Sequence, residues 1–120
     1  MKTKNFIKDC LRTKSNLKNF PNPDLLHAAM GMSTEAGEFL DALKKHMFYG
    51  KQLDTTNLKE ELGDMLWYMA IAMSVLGTDF NKEMSRVIEK LKTRYPEIFT
   101  EDKALNRDLV KERETLENFK

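Results

Sequence analysis

Ser33–Lys45 reads STEAGEFLDALKK and Leu58–Tyr68 reads LKEELGDMLWY. Each holds two carboxylates three residues apart, Glu35 with Glu38 and Glu61 with Asp64. On a helix this spacing puts both members of a pair on one face, one above the other. Two such helices side by side bring four carboxylates to one place, where they repel each other unless a cation sits between them. The spacing predicts a hard-metal site, provided both stretches are helical and face each other.

Working outward, both conditions are met by pattern. Asn22 is a good N-cap, Pro23 suits the first helical position, and Asp24 favours the positive end of a helix. Leu25, Leu26, Ala29, Met32, Ala36, Phe39, Leu40, Leu43 and Met47 follow with a 3.6-residue period, and Gly50 can take the left-handed stop. Gly31 and Gly37 lie inside this helix, each at a cost of about 1 kcal/mol against alanine, so something must favour them: close approach of another helix or of a ligand. Lys51–Asn57 is a polar connection in which Thr55, Thr56 or Asn57 can cap the next helix, with Glu60 completing a box with Asn57. That helix runs to Leu76 and Gly77. The short link makes the two motif helices antiparallel.

The remaining chain is also helical in pattern. Asn5–Lys14 has a narrow apolar face at Phe6, Ile7, Cys10 and Leu11, and Ser15–Pro23 reads as a loop. Thr78 or Asp79 starts a helix through Phe80, Met84, Val87, Ile88 and Leu91, which Pro96 stops. Lys103–Asn118 is a charged last helix with few apolar anchors. The class is all-α: one domain over residues 1–120, a protomer of four to five helices that packs into an oligomeric helical bundle. Met65–Leu76 is apolar nearly all round, more than one thin bundle covers, and predicts a dimer or a dimer of dimers.

Composition narrows the function. With 120 residues, 41% apolar and 32% charged, the chain reads as a soluble globular domain. A net charge of +1 gives no field toward nucleic acid or an anionic membrane. Cys10 is the single cysteine, which excludes an intramolecular disulfide and fits a reducing, cytoplasmic setting. The N-terminal MKTKNFIKDC has no apolar core of a signal peptide, and Met65–Leu76 is too short to cross a bilayer.

The carboxylates themselves read as bordering a core. Phe39, Ala42, Met65 and Tyr68 stand at the i+4 positions, where a solvated face would carry Lys or Arg. Four carboxylates without nearby cysteine form an all-oxygen set suited to Mg²⁺ or Mn²⁺. Di-iron bundles need Glu-x-x-His, and here Glu38 and Asp64 occupy those positions. Mg²⁺ held this way completes its shell with water and phosphate oxygens, pointing to a phosphate ester or anhydride. His27, eleven residues before Glu38 and roughly 16 Å away along the axis, is too far to share the ion but can reach the other end of a substrate. His46 is left on the surface.

With these residues in place the sequence resembles the all-α nucleoside triphosphate pyrophosphohydrolases: MazG, the dimeric dUTPases and the dCTP pyrophosphatases. The resemblance rests on E-x-x-E, 22 residues, then E-x-x-D, within HAAMGMSTEAGEFLDALKK and LKEELGDMLWYMA. The stretch KLKTRYPEIFTEDKALNRDLVKERETLE is similar to the tail of single-domain MazG-like proteins. It implies that Glu35, Glu38, Glu61 and Asp64 bind Mg²⁺, and that activated water cleaves the α–β linkage to give nucleoside monophosphate and pyrophosphate. Glu38, ahead of Glu35, would orient or deprotonate that water. Tyr68 would face the pocket, and Lys45, Lys92 and Arg94 would add positive charge for phosphate. Trp67 reads as core or subunit interface, and the resemblance implies a site built between packed subunits. Two other readings compete: a non-catalytic helical module that binds a nucleotide or a protein, and a purely structural bundle.

Overall fold

The computed structural model describes residues 22–119, together with Phe6 and Arg12. Of the helix expected over Asn5–Lys14, only Phe6 and Arg12 are among the described residues, and Cys10 lies outside them. Five helices follow: α1 (Pro23–Tyr49), α2 (Thr55–Leu76), α3 (Phe80–Arg94), α4 (Glu101–Leu105) and α5 (Leu109–Glu117). Among the described residues there is no strand, and the fold is all-α.

The helix ends follow local chemistry. The Asn22 side chain accepts from the backbone N–H of Asp24 at 3.1 Å and of Leu25 at 3.2 Å, satisfying two donors left free by the first turn. Gly50 closes α1 at φ +64°, a left-handed conformation in which glycine carries no Cβ penalty, and its N–H donates to the Lys45 carbonyl. Gly77 does the same for α2 at φ +69°. Asp79 caps α3, accepting from Lys82 N–H at 2.9 Å.

Two expectations are corrected. Helix α2 is capped by Asp54, which accepts from Asn57 N–H at 3.1 Å. Thr55 and Thr56 are already helical. A carboxylate at the cap adds a favourable charge at the positive helix end, so the helix starts earlier than a threonine cap implies. The charged C-terminal segment is two helices instead of one. Asn106 donates its side-chain amide to Asp102 at 2.9 Å, and Asp108 accepts from Lys111 N–H at 3.0 Å to start α5. These local side-chain bonds outcompete continuation of one helix.

Helices α1 and α2 pack together, and so do α3 and α5. On the first pair, Glu35 meets Glu61 whereas Gly31 and His27 meet Tyr68, so rising numbers on α1 meet falling numbers on α2. The expected antiparallel motif pair is present. On the second pair, Thr93 and Thr115 hydroxyls lie 2.9 Å apart and Arg86 donates to the Leu116 carbonyl at 2.6 Å. The two pairs meet around a cavity of about 550 Å³ lined by Met32, Met69, Met73, Arg86 and Phe119 among others.

The described chain is open. Its radius of gyration is 20.1 Å, against about 14 Å for a compact domain of this length. Ala28 and Ala72 are its only buried hydrophobic residues, and Leu40, Phe48, Leu66, Trp67, Met84 and Ile88 are exposed.

Candidate metal centre

Helical period and antiparallel pairing together place the acidic residues. Glu35 and Glu38 project one turn apart from α1, and Glu61 meets them from α2. Each of the three offers a carboxylate oxygen, and these oxygens lie within 4.8 Å of one another. Asp64, one turn after Glu61, lies beside the cluster and lines a small cavity of about 210 Å³ with Glu35, Trp67 and Tyr68.

The cluster is charged and partly out of water. Glu61 is only 6% exposed, Glu35 is half-buried, and Glu38 is exposed. Glu35 Oε2 and Glu61 Oε2 are both buried and accept no hydrogen bond. A buried acceptor without a donor forfeits its hydration for nothing, and an ionised one costs more. Glu61 shows the strain: its carboxyl is pushed up to about 7, first by the Glu35 carboxyl close beside it, then by burial and by the charge of Glu38. A divalent cation held between these carboxylates would offset both the like charge and the lost hydration. The all-oxygen donor set with two unpartnered buried oxygens therefore fits a hard cation.

Aromatic rings line the mouth. The Tyr68 ring meets His27 edge-on with centroids 5.7 Å apart, and meets Trp67 edge-on at 5.0 Å. Trp67 is 58% exposed, so it is no part of the protomer's interior.

The cations predicted for phosphate are engaged with other carboxylates of the chain. Lys45 pairs with Asp41 at 2.8 Å, Lys44 joins the same carboxylate at 3.2 Å, and these bonds hold the Asp41 carboxyl below its ordinary range. Lys92 pairs with Glu89 at 3.2 Å. Arg94 donates to both oxygens of Glu112 at 2.7 and 3.1 Å, and Arg107 donates to the same two oxygens at 3.3 and 2.6 Å. Glu112 is 4% exposed, and the two guanidinium groups hold its carboxyl down at about 2. His46 donates Nδ1–H to the Lys51 carbonyl, 2.8 Å away, at the end of α1.

Sequence reasoning missed the Glu112 clasp, because a glutamate in a charged helix reads as solvated and its partner lies 18 positions away. It found Gly31 as an anomaly without a reason. The reason is Tyr68, whose ring occupies the space where a Cβ would stand. Among the described residues nothing lies within 4 Å of where a Gly37 Cβ would stand, and nothing in the structure explains this glycine.

A family model described as the MazG nucleotide pyrophosphohydrolase domain matches residues 26–99. No curated protein and no solved structure matches the chain significantly. The matched span takes in α1 from Leu26, all of α2 and α3, and all four motif carboxylates. It covers more than half of the sequence, and the chain belongs to the MazG nucleotide pyrophosphohydrolase family.

Proposed function

We propose that this protein hydrolyses nucleoside or deoxynucleoside triphosphates at the α–β phosphoanhydride, giving nucleoside monophosphate and pyrophosphate. The observation that carries this reading is the convergence of Glu35, Glu38 and Glu61 with two buried, unpartnered carboxylate oxygens. Glu35, Glu38, Glu61 and Asp64 would hold Mg²⁺, with Mn²⁺ as a substitute. Bound there, the ion supplies charge neutralisation for the phosphates and a lower pKa for the attacking water.

The chain's own groups divide the remaining work. Glu38, the exposed member of the cluster, takes the proton of the attacking water, with Glu35 orienting it. Glu61, the most buried, fixes the cation's place from α2. Tyr68 and His27 form a wall for the nucleoside end. Lys45 and Lys92 exchange exposed carboxylate partners for phosphate at small cost. Arg94 does so only by abandoning buried Glu112, and is the weakest of the three.

The protein works as a single MazG-like domain over residues 1–120 in a homodimer or homotetramer, in the cytoplasm, without nucleic acid or membrane partners. The exposed apolar side chains and the open shape of the protomer support assembly. A net charge of +1 supports the absence of a polyanion partner. Among the described residues no helix is long and apolar enough to cross a membrane.

The test is a panel of NTPs and dNTPs with product identification. Monophosphate plus pyrophosphate is the expected outcome; diphosphate plus orthophosphate overturns the reading. Light scattering that gives a 14.0 kDa monomer at micromolar concentration overturns the assembly. One observation favours a second reading, a nucleotide-binding module without turnover: Lys45, Lys92 and Arg94 are already paired within the chain. It predicts nucleotide binding with no hydrolysis at any Mg²⁺ or Mn²⁺ concentration.

A further inference from the structure

Gly31 sits in the interior of a 27-residue helix, where glycine is disfavoured. It is also buried. A Cβ there would fall closer than 3.0 Å to Cδ1, Cε1 and Cζ of Tyr68, three atoms of one rigid ring. The ring therefore lies flat against the α1 backbone, at the level of the turn before Glu35. Tyr68 also lies one turn after Asp64 and lines the small cavity that holds Glu35 and Asp64. Displacing its ring means rotating it out of the seam between the helices, toward His27 or toward Trp67 and the cavity.

We propose that Gly31 is a positioning residue for the carboxylate site: its missing side chain seats the Tyr68 ring in the α1–α2 seam, and the seated ring walls the site beside Glu35 and Asp64. Gly31 acts on the site only through Tyr68. The role in turnover rests on the hydrolase reading; the seat itself does not.

The double-mutant cycle of Gly31→Ala, Tyr68→Ala and the two together separates these levels. Three quantities are read in the full chain: melting temperature, the Mg²⁺ midpoint followed by fluorescence of Trp67, and kcat and KM for the best NTP of the panel. Trp67 is the only tryptophan and touches the Tyr68 ring edge-on, so its emission reports the ring's place. Gly31→Ala should lower the melting temperature alone but raise it beside Tyr68→Ala, where helix propensity acts without the clash. It should shift the Trp67 emission and the Mg²⁺ midpoint and lower kcat/KM by about 10²-fold, whereas adding it to Tyr68→Ala should change kcat/KM less than about twofold. Equal effects of Gly31→Ala in both backgrounds, on stability or on kcat/KM, overturn the proposal. Should Gly31→Ala alone fail to fold, recovery of helicity in the double variant supports the seat and its absence refutes it. Wild-type protein inert toward Mg²⁺ and every nucleotide overturns the hydrolase reading, while the reversal in melting temperature still decides the seat.

Discussion

Glu61 and Glu112 are the two buried charged residues of the described chain, at 6% and 4% exposure, and they titrate at opposite ends of the carboxylate range. Glu112 is met by Arg94 and Arg107 on both oxygens and is held down at about 2. Glu61 is met by Glu35 and Glu38 and is pushed up to about 7. Burial is nearly the same, so the sign of the neighbours decides. A buried acid satisfied by its own chain is part of the scaffold. A buried acid surrounded by like charge, with an oxygen left unpartnered, is incomplete without something from outside.

The sharpest way to separate the two regions is activity. Glu38→Gln or Asp64→Asn should lower turnover by about 10³-fold or more while circular dichroism keeps its helical signal. Glu112→Gln, on the other helix pair, should leave turnover by correctly folded protein within about twofold, consistent with a scaffold role. Turnover unchanged in the first two variants would remove those residues from the reaction.

Next in size is a difference of sign in stability. In metal-free protein at pH 8, Glu61→Gln should raise the melting temperature, since it removes a repelled charge. Glu112→Gln should lower it by roughly 5 °C or more, since it leaves two arginines facing a neutral group. The same sign in both would dissolve the contrast. Millimolar Mg²⁺ should then raise the melting temperature of the wild type by a few degrees, through binding to the folded state alone, and should fail to do so in Glu61→Gln.

The smallest effect is in acid. Glu112 has a folded value near 2 against an ordinary 4.5, so the unfolded chain takes up its proton first. Its contribution is complete above about 4.5 and declines as pH falls toward 2. Urea midpoints measured from pH 5 to 2 should fall more steeply for the wild type than for Glu112→Gln; parallel profiles would show that the clasp carries no acid sensitivity.

What the sequence made legible follows the range of the interactions. Asn22, Pro23, Gly50, Gly77, Asp79 and Pro96 act within one turn of themselves, and each delimits a helix as its chemistry implies. The convergence of Glu35, Glu38 and Glu61 was legible for the same reason: a helical period aligns Glu35 with Glu38, and the short link sets Glu61 against them, while Asp64 lies beside this group and not within it. Asp54 against Thr55 was a contest between two good caps that spacing does not decide. The break at Asn106–Asp108 depended on which of several local side-chain bonds forms. Arg94 illustrates the limit. Its place ahead of Tyr95-Pro96 is visible in the chain, but its partner is on a helix 18 residues further on, and only the fold brings them together.

The two buried alanines, Ala28 and Ala72, carry a last consequence. The described residues hide little apolar surface and gain little by collapsing alone, and the stripe at Met84, Val87, Ile88 and Leu91 stays exposed in the single protomer. Under the assembly proposed above, folding becomes a reaction of higher order. Dilution then acts as a denaturant, and the amount of active protein in a cell rises faster than its rate of synthesis.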